Sequence, residues 1–323
     1  APEGPVRGPR AKLTWLAGAC FAILEYRTPM ADTLPLPVET RPDGVVVLHL
    51  VPNPSKPRGG VVVLDRWLID SIDACLRHIA TLRPKGFVLV SDSERVFVAG
   101  ADLAEIDALD NPSLHAYLQA GSVAFRRITS LPCPTACVMH KAALGGGLEL
   151  AMHCEALFGV TPAAGDKGWK IGLPECGLHI CPGWGGTVLL PGRIEPATAI
   201  AATMHGAPFD AGKTPTGLLQ QSLPSAAEAL TAAVAWIHAH PRSTPRAEPI
   251  SICDPEHREH GLAAIPFVRP QASAASGIAV IDAVQVGLKD GFDAAVAREQ
   301  VHLVDLRHTP EARAKLDAFL KRG

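Results

Sequence analysis

Two glutamates and three consecutive glycines are the residues whose types and spacing could do chemistry. The run Ala142-Ala143-Leu144-Gly145-Gly146-Gly147-Leu148-Glu149-Leu150 follows an apolar stretch from Thr135 to Met139. Three glycines in a row remove side chains where the backbone must come close to something. Leu148 to His153 reads as a helix starting on those glycines. N–H groups in a helix's first turn have no intrahelical partner and carry partial positive charge, so a ligand oxygen can reach them there. Glu149 would set a carboxylate beside the same spot. A second acid follows in Gly172-Leu173-Pro174-Glu175, and upstream Phe97-Val98-Ala99-Gly100-Ala101-Asp102-Leu103 forms another tight loop opening a helix. Bare backbone donors plus two acids point to an oxyanion site served by general acid/base groups.

The elements that must position these residues follow a strand–helix rhythm. Val45 to Val51 is a β-branched run set off by Asp43-Gly44 and Pro52-Asn53-Pro54, hence a strand. Leu68, Ile72, Cys75, Leu76 and Ile79 then fall at helical spacing. Phe87 to Val90 is a second buried strand, with the Ala99–Asp102 loop beyond its C-terminal end. Pro112 to Ile128 reads as a helix, Thr135 to Met139 and Ala156 to Val160 as strands, 163–167 as a turn, and Gly168 to Ile171 as a short strand delivering Glu175. Such α/β order puts ligand sites beyond the carboxyl ends of strands. Pro182-Gly183-Trp184-Gly185-Gly186-Thr187 is a glycine loop opening a helix, and Ala197 to Met204 and Ser225 to His238 are further helices. Residues 241–276 lose periodicity and read as a linker. Ile278, Ile281, Val284 and Leu288 mark a helix beyond it, and Thr309-Pro310-Glu311 starts the last one, with Thr as N-cap and Pro at the first helical position.

The 323 residues suffice for a full core, and 47% apolar content argues for a folded chain despite 29 glycines and 29 prolines. A formal charge of -2 and a pI near 6.7 give no reason to expect nucleic acid or an acidic lipid surface as partner. Eight irregularly spaced cysteines, several inside apolar runs, point to a reducing, cytoplasmic setting rather than a disulfide framework. No apolar run approaches a membrane span. Residues 1–29 carry Arg7, Arg10 and Lys12 before the apolar run Leu13 to Leu24, a pattern shared with secretory signals. Met30-Ala31-Asp32 looks like a start just before the first strand, so 1–29 are taken as an extension outside the fold, with a catalytic domain over 30–240 and a helical segment over 277–323.

Taken together and in order, the 97–103, 143–151 and 172–187 stretches resemble the signatures of the enoyl-CoA hydratase/isomerase (crotonase) family. The resemblance covers roughly Val45 to Leu223. The stretch from Ile278 to Leu320 is similar to the helical segment that follows this domain in multifunctional fatty-acid-oxidation proteins. The resemblance implies an α/β crotonase-like fold, a stacked β-β-α superhelix with a C-terminal helical extension. It implies that the N–H groups of Ala101 and Gly146 form an oxyanion hole for an acyl-CoA thioester, with Glu149 and Glu175 as the two catalytic acids. Ala99, Gly100, Asp102 and Gly145 fall among the substrate-binding positions. It further implies homotrimers or hexamers, a separate dehydrogenase as a partner, and no metal or redox cofactor, coenzyme A arriving as part of the substrate. Hydration of 2-enoyl-CoA is the expected reaction; double-bond isomerisation, thioester hydrolysis, or a non-catalytic acyl-CoA-binding subunit are the alternatives.

Three departures bear on that expectation. Lys141 stands where the family usually has glycine, placing a cation near the site. Ala104 stands where many members carry lysine. The Glu149–Glu175 loop is longer than usual and could displace Glu175. Among other candidates, Asp102 reads as a helix N-cap rather than a catalytic acid. Cys154, Cys176, His179 and Cys181 lack metal-ligand spacing. Trp169 and Trp184, flanking the second acid, read as core with an acyl pocket as the alternative.

Overall fold

A computed structural model describes residues 34–163, 165–166, 168–250 and 255–321; the extension expected over 1–29 lies outside them. From Leu34 onward the chain is one compact unit. A six-stranded sheet runs in the order β1 (Val38–Thr40), β2 (Val45–Leu50), β3 (Gly86–Ser91), β4 (Thr135–Met139), β6 (Ala156–Val160) and β9 (Gln221–Leu223), with only the β1–β2 pair antiparallel. The central strands are apolar on both faces, as parallel strands covered on both sides must be. Val46, Leu48, Phe87 and Leu89 face the main core. Val45, Val47, Val88, Val138 and Phe158 point the other way, under a single helix that contributes Ala229, Ala233, Val234 and Ile237.

A second, small layer holds β5 (Ala143–Leu144), β7 (Lys170–Gly172) and β8 (Phe209–Asp210), extended by single bridges Leu64–Ala101 and Val98–Ala143. Each long strand thus hands the chain to this layer before a helix begins. After β2 come Leu64 and α1 (Arg66–Leu82); after β3 come 98–101, α2 (Leu103–Ala108) and α3 (Asn111–Ser130). After β4 come β5 and α4 (Gly146–Met152), and after β6 come β7 and α5 (Gly186–Leu189). These are the stacked β-β-α turns that the sequence implied, and they bring the 99–101, 144–146 and 173–175 segments side by side. Side-chain caps start several helices: Asp65 accepts from the Leu68 N–H, Asp110 from Ser113, and Asp102 from both Ala104 and Glu105.

Beyond α6 (Pro196–Met204) and α7 (Ala226–Ala239), the stretch read as a linker is tied down. Arg242 pairs with Glu155 at 2.9 Å, and Arg246 donates to the His153 carbonyl at 2.6 Å. Within it α8 (Pro255–Val268) buries Gly261, Ala264, Ile265 and Val268. The helical spacing is present, but two of those four residues are too small to register as an apolar stripe, and Pro266 interrupts the pattern. The C-terminal extension completes the unit with α9 (Ala275–Asp290), α10 (Phe292–Leu306) and α11 (Pro310–Leu320), where Thr309 caps α11 as expected. Ile278, expected on the buried stripe of α9, is 55% exposed. The contact face of that helix is built instead from Gly277, Ala279, Val280, Ile281, Ala283, Val284, Gly287 and Leu288. Among the described residues no helix is long and apolar enough to cross a membrane.

Candidate active site

One cavity of about 80 Å³ is lined on its polar side by Ala99, Gly100, Ala101, Gly145, Gly146, Glu149, Pro174 and Glu175. Its apolar wall comes from Leu103, Ile106, Leu118, Leu178, Ile180, Trp184 and Leu303. Gly146 is the first residue of α4, so its N–H precedes any intrahelical acceptor. Neither it nor the Ala101 N–H meets an acceptor among the described residues. The two loops touch: a side chain at Gly100 (φ +108°) would lie 3.1 Å from the Leu144 carbonyl oxygen. Glycine is also required at 145, where φ is +52° and a Cβ would stand 2.5 Å from Glu175 Oε1.

Glu149 is 1% exposed, and its Oε1 accepts from the Trp184 and Gly186 N–H groups, both at 2.8 Å. Those two bonds fix the carboxylate's orientation. Burial, then the negative charges of Glu299 and Glu175, push Glu149 well above the usual carboxylate range, and the two amides pull it back. Burial likewise pushes Glu175 up to about 8, and its Oε2 is buried without a partner. A buried carboxyl held uncharged is a proton donor at neutral pH. Behind Glu149, His153 donates from Nδ1 to the Glu149 carbonyl at 2.8 Å and packs edge-on to Phe125 and Phe292. Burial holds that imidazole down to about 3, so it is a neutral packing group.

Residues 64–247, more than half of the chain, match the sequence profile of enoyl-CoA hydratase/isomerase. The chain belongs to the enoyl-CoA hydratase/isomerase family. A probable enoyl-CoA hydratase of Bacillus subtilis (strain 168) is 35% identical over 147 residues, which cover 45% of this chain and 55% of that protein. The fatty acid oxidation complex subunit alpha of Shewanella halifaxensis is 39% identical over 124 residues, 38% of this chain and 17% of that protein. The chain thus matches about half of the first relative's length and about a sixth of the second's. The crystal structure of enoyl-CoA hydratase from Bacillus halodurans superposes with a TM-score of 0.62 at 16% identity, covering 88% of this chain and 99% of that one. Pseudomonas aeruginosa DspI gives 0.56 at 20% identity, with 91% and 97% covered. At those identities the likeness is one of fold, which is crotonase-like.

Within that family frame, seven of the eight residues named from sequence line the one cavity: Glu149, Glu175, Ala101, Gly146, Ala99, Gly100 and Gly145. Asp102 does not. Its carboxylate caps α2 and pairs with Arg58, 2% exposed and turned from the cavity into the loop. Lys141 also lies elsewhere, its ammonium bonded to the Glu94 carbonyl. The long loop before Glu175 leaves that acid at the cavity, because β7 pairs with β5 at Ala143–Ile171 and Leu144–Gly172 and fixes where the chain re-enters. Trp184 is both core and wall: its indole donates to the Leu118 carbonyl at 2.9 Å and lies 5.3 Å from the Phe125 ring. Trp169 does not line the cavity. Cys154, Cys176, His179 and Cys181 do not gather within ligand distance; the one such group among the described residues is Asp65, Asp102 and Glu105, engaged in caps and ion pairs.

Sequence reasoning missed a third acid. Glu299 of α10 is wholly buried and accepts from the Gly185 N–H at 2.6 Å and the Thr187 N–H at 2.8 Å. The available signal was an acid inside an apolar stripe, with Ala295 one turn before it and Leu303 one turn after.

Proposed function

We propose that this chain hydrates 2-enoyl-CoA thioesters to 3-hydroxyacyl-CoA. The observation that carries the reading is the meeting of two unpaired backbone N–H groups, at Ala101 and Gly146, with two buried glutamates around one cavity. The thioester carbonyl oxygen sits against the two amides. Glu149, ionised, takes a proton from water as the water oxygen bonds to the β-carbon. The double-bond electrons move toward the thioester, and charge grows on the carbonyl oxygen. Each fixed N–H aimed there is worth about 3 kcal/mol in the transition state. The enolate then collapses, and the α-carbon takes the proton of Glu175. Water has been added across the double bond, and one proton moves back between the carboxyls, by way of solvent, to reset the site.

The roles follow from hydrogen bonding. The two amides on Glu149 Oε1 offset part of the burial and neighbouring charge that raise it, and they are the ground for giving Glu149 the base role and Glu175, whose Oε2 has no donor, the acid role. No metal or redox cofactor takes part in this scheme, and coenzyme A enters as part of the substrate. The same reading carries a homotrimer or hexamer, a separate dehydrogenase consuming the 3-hydroxyacyl product, and a reducing, cytoplasmic setting suited to the six free cysteines buried among the described residues.

The test is loss of the conjugated-thioester absorbance of a short 2-enoyl-CoA. Glu149→Gln and Glu175→Gln each abolish it while the protein stays folded. Should Glu149→Gln be harmless and Glu175→Gln lethal, isomerisation replaces hydration as the reading. Binding of CoA esters with turnover of neither substrate type leaves a non-catalytic subunit.

A further inference from the structure

Four consecutive N–H groups, from Trp184 to Thr187, run between two buried carboxylates. Trp184 and Gly186 donate to Glu149 of α4, and Gly185 and Thr187 donate to Glu299 of α10. The turn is therefore gripped on alternate residues from opposite sides. The next residue of α10 adds a third hold, with Gln300 Nε2 donating to the Gly183 carbonyl at 3.0 Å. Glycine at 185 (φ +102°) and at 186 permits the close approach, since a Cβ on Gly186 would lie 3.0 Å from Glu149 Oε1.

We propose that Glu299 is a positioning residue for the active centre: it fixes the 184–187 turn, and through that turn the orientation of the Glu149 carboxylate toward the substrate. The inference rests on the hydration reading above. Glu299 touches no substrate position and does not line the cavity. It acts in two ways. Its two oxygens hold two buried amides that would otherwise have no acceptor, so the other two stay aimed at Glu149. Its charge also raises the pH at which Glu149 and Glu175 give up their protons.

The titratable groups that feel Glu299 are Glu149 from α4, Glu175 from the turn after β7 and the Cys181 thiol. Other elements packed on α10 direct their polar groups elsewhere. Asp282 of α9 pairs with His302 and Arg298, Gln119 of α3 bonds Gln300, and Arg126 of α3 meets Asp293. No cation among the described residues sets the Glu299 titration.

Glu299→Gln tests this. Gly185 and Thr187 use different oxygens of Glu299, and the amide turns one of these into an NH2 donor, so one of the two N–H groups loses its acceptor. The expected result is a kcat lower by about 10²-fold, the loss that a shift of about 1 Å in a catalytic group produces, with KM within about threefold. Both limbs of the pH–rate profile move to lower pH, because a neighbouring negative charge is gone. Glu299→Asp, which keeps charge and both acceptors on a shorter stem, lowers kcat but leaves the limbs in place; it carries the test by itself if the Gln variant does not fold. A loss of thermal stability with kcat, KM and the pH limbs all unchanged would overturn the proposal. An infrared pH titration of the protonated-carboxyl band, which needs no turnover, separates this claim from the function. If the unmodified protein hydrates nothing, the hydration reading fails, and the titration still decides whether Glu299→Gln moves the remaining glutamates to lower pH. An unmoved titration sinks the inference.

Discussion

Gly145→Ala probes the spacing on which the chemistry depends. Gly145 has φ +52° and ψ −128°, a conformation that residues bearing a Cβ adopt only under strain. Holding alanine there costs about 1–3 kcal/mol. The new methyl would stand 2.5 Å from Glu175 Oε1 and 3.2 Å from its Cδ, against an ordinary contact of 3.4–4 Å. The far end of the Glu175 side chain is the movable partner, so it gives way by about 1 Å. A displacement of that size in a proton donor lowers the rate by about 10²-fold. The stability loss is then modest and the activity loss large, the opposite of what a packing defect produces. Thermal unfolding and hydration of a short 2-enoyl-CoA measure the two sides. Gly212→Ala is the control, because a Cβ there meets nothing within 4 Å. If Gly145→Ala keeps kcat within threefold of the unmodified protein, the closeness of Glu175 to this backbone has no part in the reaction.

Two other outcomes follow from the same geometry. Glu299 and Glu175 are raised from 4.5 to about 7 and about 8, so between pH 4.5 and 8 the unfolded chain ionises them before the folded one does. The stabilisation is full below about pH 4.5 and is lost as pH rises through 7 and 8. Glu299 alone contributes roughly 3 kcal/mol to that decline. Urea unfolding at several pH values checks it, and a Glu299→Gln variant with the same pH slope as the unmodified protein would contradict it. Leu303→Ala removes a wall of the 80 Å³ cavity. It lowers stability by about 2–5 kcal/mol and moves the best substrate to a longer acyl chain; an unchanged chain-length profile refutes the assignment of Leu303 to the acyl wall.

The legibility of this molecule in its sequence divides along physical lines. Strands β2, β3, β4 and β6 and helix α1 carried strong local patterns, and the glycine loops, which alone would suit mere close packing, stood out because three motifs follow one another in one family's order. Glu149 was legible because it sits directly behind such a loop, and Glu175 because Gly172-Leu173-Pro174-Glu175 follows in the family's order. Asp102 read both as a helix cap and as a substrate contact, since the two look alike until the direction of the carboxylate is known; it caps α2. The helices of the C-terminal half were harder. In α8 and α9 six of the thirteen buried residues are Gly or Ala, which let helices approach closely but contribute little to an apolar stripe, while the large Ile278 points outward.

Glu299 shows why the missing part mattered. Its partners are backbone amides more than a hundred residues away, so no local spacing ties it to the glycine loop. What the sequence did contain was a charge at a core position of α10, between Ala295 and Leu303. An acid there is destabilising unless the fold supplies donors to meet it. The fold supplies two, and they belong to the turn that also grips Glu149. The C-terminal extension is therefore joined to the candidate active site by hydrogen bonds as well as by packing. An isolated fragment ending before α10 would leave the Gly185 and Thr187 amides without their acceptor, and the Glu149 carboxylate would lose the turn that holds it.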